Sequence, residues 1–111
     1  MTSSSDYCTV EYKAEGSNVT LGVVGELDLA TVGVLTAHFD RAITDSDGPV
    51  TVNLAGVTFV DSSALHALLR AHAALAAAGR SLVVAEARPA TMRVFQLAGV
   101  VDTLGLGPQP D

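Results

Sequence analysis

The chain has 111 residues, of which 49% are apolar and 16% charged, with a net charge of −6. This length predicts one domain with one core, and the apolar share excludes a disordered chain. There is no stripe of basic residues to track phosphates, so neither nucleic-acid binding nor attachment to an anionic membrane surface is expected.

The charge is uneven. Residues 1–47 carry eight acids against Lys13 and Arg41, whereas residues 48–111 balance four acids with four arginines. An acidic half suits a partner with a basic patch and also serves solubility. Cys8 is the one cysteine, so no internal disulfide can form and no oxidising compartment is indicated. No run of 18 apolar residues appears, and the N-terminus lacks a basic segment followed by an apolar one. These features predict a cytoplasmic protein.

In chain order, residues 1–6 read as a flexible polar tail. Tyr7 to Ala14 alternates loosely, as an edge strand does. Glu15-Gly16-Ser17-Asn18 is a turn signal, and Val19 to Leu27 is β-rich, with Val19, Leu21 and Val23 on one face. The two strands form a predicted hairpin. Asp28 or Thr31 can cap a helix running to about Thr44, whose buried stripe is Val32, Leu35, Phe39 and Ile43. Asp45-Ser46-Asp47-Gly48-Pro49 stops it.

A strand-like run then extends from Val50 to Val60, in which Val50, Val52 and Leu54 alternate with Thr51 and Asn53. A helix follows from about Ser63 to Ala78, closed by Gly79, with Leu65, Leu68, Leu69 and Leu75 as its apolar stripe. His72 borders that stripe as a half-buried packing residue, while His66 and Arg70 read as a solvated face. Ser81 to Ala87 is a strand whose unbroken apolar run, Leu82-Val83-Val84, predicts burial on both faces or a central position. Pro89 opens a short helix carrying Met92, Val94, Phe95, Leu97 and Ala98, ended by Gly99. Asp102 to Gly107 reads as a last short strand and 108–111 as a tail. The order β-β-α-β-α-β-α predicts an α/β fold. Its sheet is mixed: an antiparallel N-terminal hairpin, then parallel strands joined by crossover helices. Residues 7–106 form the one expected domain.

Chemistry-bearing motifs are sparse. There is no phosphate-binding glycine loop, no dinucleotide fingerprint and no nucleophile elbow. The three histidines, His38, His66 and His72, show no i,i+4 pairing, so no metal site and no cofactor are expected. Ser62 and His66 could face each other on a helix, but they lack an orienting acid and an oxyanion hole, so an enzyme is not expected. What remains is Asp61-Ser62-Ser63, two hydroxyls and a carboxylate where strand becomes helix. The first-turn N–H groups have no intrahelical partner and the macrodipole is positive there. That position suits a cap, an anion or a phosphorylated serine.

Gly25-Glu26-Leu27-Asp28-Leu29-Ala30-Thr31, together with Val52-Asn53-Leu54 through Phe59-Val60-Asp61-Ser62-Ser63-Ala64-Leu65, resembles the STAS domains of bacterial anti-sigma factor antagonists. The stretch from Pro89 to Val100 is similar to that family's final helix. The resemblance covers about residues 7 to 106. It implies a non-enzymatic transcription regulator that binds an anti-sigma factor with serine kinase activity and so releases a sigma factor. It also implies that the kinase phosphorylates Ser62, directly after the motif's Asp61, and that a serine phosphatase resets it. Ser63 is a plausible cap. The implied partner-binding residues are Glu26, Asp28, Leu29, Thr31, Asp61, Ser62, Ser63, Ala64, Leu65 and His66. Where the family has Gly-Leu-Gly after the serines, this chain has Ala64-Leu65-His66, placing a methyl group where a partner backbone could approach. The alternative implied by the same fold is a non-phosphorylated STAS interaction module: a nucleotide sensor, a stress-complex scaffold or a transporter accessory subunit.

Overall fold

The computed structural model describes residues 2–4 and 7–104. Its strands are β1 (Thr2–Ser4), β2 (Cys8–Glu15), β3 (Asn18–Leu27), β4 (Val50–Val60) and β5 (Leu82–Ala85). Its helices are α1 (Val32–Asp45), α2 (Ser62–Ala77) and α3 (Pro89–Ala98). The five strands form one sheet in the order β1-β2-β3-β4-β5. β1, β2 and β3 pair antiparallel, and β3, β4 and β5 pair parallel. This is the expected mixed α/β fold, preceded by one additional strand.

Alternation decides which side of the sheet is covered. Val10 and Tyr12 on β2, Leu21 and Val23 on β3, and Val50, Val52 and Leu54 on β4 are buried in one cluster. The strand order advances steadily from β3 to β5, so both crossover helices lie over this face: α1 over β2 and β3, α2 over β4 and β5. They also touch each other. α3 packs against β4, with Met92 and Phe95 buried. The other face carries Thr9, Glu11, Val24 and Val83 and stays largely open.

Four expectations are corrected. Thr2–Ser4, read as part of a flexible tail, pair with Thr9 to Glu11, so β2 is not an edge strand. β5 is not central but the far edge, and Val83 is 44% exposed because only one face of the sheet is covered. It also ends early: Glu86 has φ 57° and accepts a hydrogen bond from Asn53 Nδ2 (2.6 Å). The last strand over Asp102 to Gly107 is absent as far as Leu104, where the chain turns and buries that leucine. Residues 105–107 and the tail at 108–111 lie outside the described residues.

Nothing in the sequence pointed to the clasp that completes α1. Its last turn contains no basic residue, yet the terminal carbonyls of a helix need donors and favour positive charge. Arg80, just past α2, supplies both. Its Nε donates to Gly48 O (3.0 Å), Nη1 to Ile43 O (3.0 Å), and Nη2 to Ser46 Oγ (3.0 Å) and Ala42 O (3.4 Å). Ser46 Oγ in turn donates to Ala42 O (2.6 Å). Arg80→Ala should lower the unfolding free energy by about 2–3 kcal/mol in a urea titration, the scale of a lost set of charged hydrogen bonds. Arg80→Lys should recover less than half of that, since one ammonium cannot reproduce the planar fork.

Candidate functional site

Two loops meet at the C-terminal ends of β3 and β4, the edge at which open α/β sheets place their sites. Parallel pairing sets Glu26 beside Phe59 and Leu27 beside Val60. The Asp61 N–H then donates to Leu27 O (3.2 Å), tying the start of one motif to the end of the other.

This register depends on irregularities in β4. Between Gly22/Val24 and again between Gly25/Glu26, β4 spends one more residue than β3. The buried positions of β4 accordingly shift from alternate residues, 50, 52 and 54, to every third, 57 and 60. Thr58 is the extra residue of the second bulge, and its hydroxyl donates to Gly25 O (3.4 Å). Without that insertion Phe59 would point inward and Val60 outward; with it Phe59 is 50% exposed and Val60 is buried. Gly25 supplies the complementary bend in β3 with φ 116°. A Cβ there would collide with the Tyr7 carbonyl, which accepts the Glu26 N–H (2.8 Å).

The loop after β3 holds itself. Asp28 Oδ1 accepts from the N–H groups of Ala30 (3.0 Å) and Thr31 (3.1 Å). Thr31 Oγ1 donates to Glu26 O (2.7 Å) and accepts from the Asp28 N–H (3.0 Å). Neither residue's side chain caps the first turn of α1 itself, as the sequence suggested; together they clasp the turn before it. Thr31 is only 2% exposed, so its role is internal. Leu29, at the tip, is 79% exposed.

At the start of α2 the choice among three caps resolves to Asp61. Its Oδ1 accepts from the N–H groups of Ser63 (2.8 Å) and Ala64 (3.2 Å). Ser63 is therefore not the cap. Its side chain lines a groove of about 410 Å³ between α1 and α2, with Thr36, Asp40, His66 and Arg70. Ser62, the first helical residue, is exposed, and its hydroxyl has no protein partner among the described residues.

Among the implied partner-binding residues, Glu26, Leu29, Ser62 and His66 are exposed, and Asp28, Asp61, Ser63 and Leu65 are half-buried. Ala64 is 0% exposed, so its methyl group packs into the core instead of meeting a partner. Phe59 and the 64%-exposed Tyr7 extend the surface and were missed. The spacing of the valines and leucine in β4, two apart at Val50, Val52 and Leu54 and three apart at Leu54, Val57 and Val60, was the available signal for Phe59. His38 is also buried, with Nδ1 2.8 Å from Val34 O and its ring against Tyr12.

No ion pair among the described residues involves Glu26, Asp28 or Asp61, so three carboxylates without a cationic partner lie at the sheet edge where α2 and Ser62 begin. Beneath them lies Cys8, whose thiol is pushed above its ordinary value by burial and then by the Asp28 charge. The described residues include no helix long and apolar enough to cross a membrane.

A family model described as "Mlab, STAS domain" matches residues 10–106. The chain belongs to the STAS-domain family. Among solved structures it is similar to an anti-sigma factor antagonist from Mycobacterium paratuberculosis, at 25% identity and a TM-score of 0.75, with 91% of this chain and 86% of that chain covered. It is also similar to the anti-sigma factor antagonist SpoIIAA in its unphosphorylated form, at 27% identity and a TM-score of 0.70, covering 87% and 83%. The phosphorylated form of the Bacillus cell fate determinant SpoIIAA matches at 25% identity and a TM-score of 0.67, covering 87% and 86%. No curated protein matches.

The Cys8 environment predicts slow thiol chemistry. At pH 8 the folded protein should be alkylated by iodoacetamide at least about tenfold more slowly than the urea-unfolded chain, because only the thiolate reacts and burial disfavours it. Equal rates would show that the thiol is neither buried nor shifted.

Proposed function

We propose that this STAS domain is an anti-sigma factor antagonist acting in the cytoplasm. In this reading it binds an anti-sigma factor with serine kinase activity, thereby releases a sigma factor, and is switched off by phosphorylation of Ser62 and reset by a serine phosphatase. One observation carries the reading: Asp61 performs the capping, which leaves Ser62 exposed and chemically unengaged beside Glu26, Asp28 and Leu29. A serine needed as the cap would be a poor acceptor. The similarity to a solved antagonist that exists in unphosphorylated and phosphorylated forms supports the same conclusion.

The physics favours a switch at the interface over a switch in the fold. Phosphate adds about −1.5 to −2 charges. At a helix N-terminus that stabilises locally by about 0.3–1 kcal/mol. Desolvated against a partner, beside three carboxylates, the added charge costs about 2–5 kcal/mol, or about thirtyfold to several thousandfold in affinity. The domain stays folded and the complex dissociates.

Incubation with ATP and the host's kinase-type anti-sigma factors should label wild type and leave Ser62→Ala unlabelled. Ser62→Asp should keep its melting temperature within a few degrees and lose partner affinity. Equal labelling of Ser62→Ala would move the acceptor elsewhere. The second reading, a non-phosphorylated interaction module, takes support from Ala64-Leu65-His66 in place of the family's Gly-Leu-Gly. It predicts a partner whose binding Ser62→Asp leaves unchanged and no labelling at all.

Phe59 enlarges the surface in either case. Exposed aromatics beside a polar rim dominate many interfaces. Phe59→Ala should weaken partner binding by about tenfold or more without lowering the melting temperature, measured by calorimetric titration and thermal unfolding.

A further inference from the structure

Ser62, His66 and Arg70 follow one another at i,i+4 spacing along α2, so each stands one turn beyond the last. All three are exposed. His66 and Arg70 also rim the groove whose opposite wall carries Asp40. At the head of this row two of the first-turn amides are already engaged, since Asp61 Oδ1 accepts from both Ser63 N–H and Ala64 N–H. A phosphoryl group on Ser62 Oγ would therefore stand beside the Asp61 carboxylate with those two donors already engaged. The first side chain along the row able to carry positive charge is His66.

We propose that His66 is the counter-ion of a phosphate on Ser62. This regulation rests on the reading of Ser62 as the phosphoacceptor. The charged groups nearest the imidazole in the fold are Arg70 on its own helix and Asp40 from α1, which line the same groove, with Asp61 at the helix start. A dianionic phosphate one turn away adds the largest favourable charge, so imidazolium and dianion stabilise each other. The pair is strongest where the imidazole carries its proton and the phosphate still carries both charges, so the phosphate keeps its second charge to lower pH than it would beside a neutral residue. His66, where the family has glycine, makes this chain's switch sensitive to pH in a way that a glycine cannot.

The test uses the full chain with phosphoserine installed at position 62 by genetic encoding or ligation, so no kinase is required. Phosphorus NMR follows the second ionisation of the phosphate against pH. In wild type its midpoint should lie about half a unit or more below that in His66→Gln, and His66→Lys should keep the low midpoint. Thermal unfolding of the three proteins should coincide, because His66 is exposed. Identical midpoints in wild type and His66→Gln would overturn the pairing. If the midpoints differ but host kinases never label Ser62, the pairing stands and the phosphoacceptor reading falls. If Ser62 is labelled and the midpoints coincide, the pairing alone is wrong.

Discussion

The parallel register between the last residues of β3 and β4 is the constraint on which the site depends. Strand ends in a parallel pair fall wherever the ladder leaves them, and here β4 reaches the edge with two residues more than β3 along the paired segment. Those two residues are absorbed as bulges, so Leu27 meets Val60 and the following residue, Asp61, bonds back to Leu27. Remove one bulge and every side chain beyond it changes face. The acidic loop and the serine would then no longer share a surface.

From that register the division of labour follows. Two carboxylates, Asp28 and Asp61, are spent on backbone N–H groups of their own loops. Such bonds fix local geometry while leaving the negative charge in place. Thr31 and Ala64 are internal supports. The residues left facing solvent, Glu26, Leu29, Phe59, Ser62 and His66, are a mixture of acid, apolar and titratable groups. Recognition chemistry of that kind sits on loops held by a rigid scaffold.

Much of this was legible in the sequence. The spacings of Val19, Leu21 and Val23 and of Leu35 and Phe39 gave the hairpin strand and the first helix. Gly79 and Gly99 marked where helices close, and both take positive φ. The motif residues Glu26, Asp28 and Asp61-Ser62 converge on one edge. What was hidden shares a physical cause: it depends on partners far away in sequence. An unbroken apolar run cannot reveal whether a strand is central, because that depends on what covers the second face, and β5 proved to be an edge. Nor can local propensity choose among three adjacent caps, since Ser62 and Ser63 are as good as Asp61 in isolation; the end of β4 is fixed by the bond from the Asp61 N–H to Leu27 O in the neighbouring strand. Phe59 went unread because the two bulges that decide its surroundings are set by the pairing of β4 with β3.

Arg80 carries a consequence for the order of events in folding. Its hydrogen bonds reach back 32 to 38 residues, to Gly48 and the last turn of α1. That turn cannot be completed until the chain has passed through β4 and α2 and returned to the same end of the sheet. Loop closure must come first and its entropic cost is met before these contacts form. On a ribosome, the first helix of the domain would therefore wait, with a frayed end, for a residue made after the second helix.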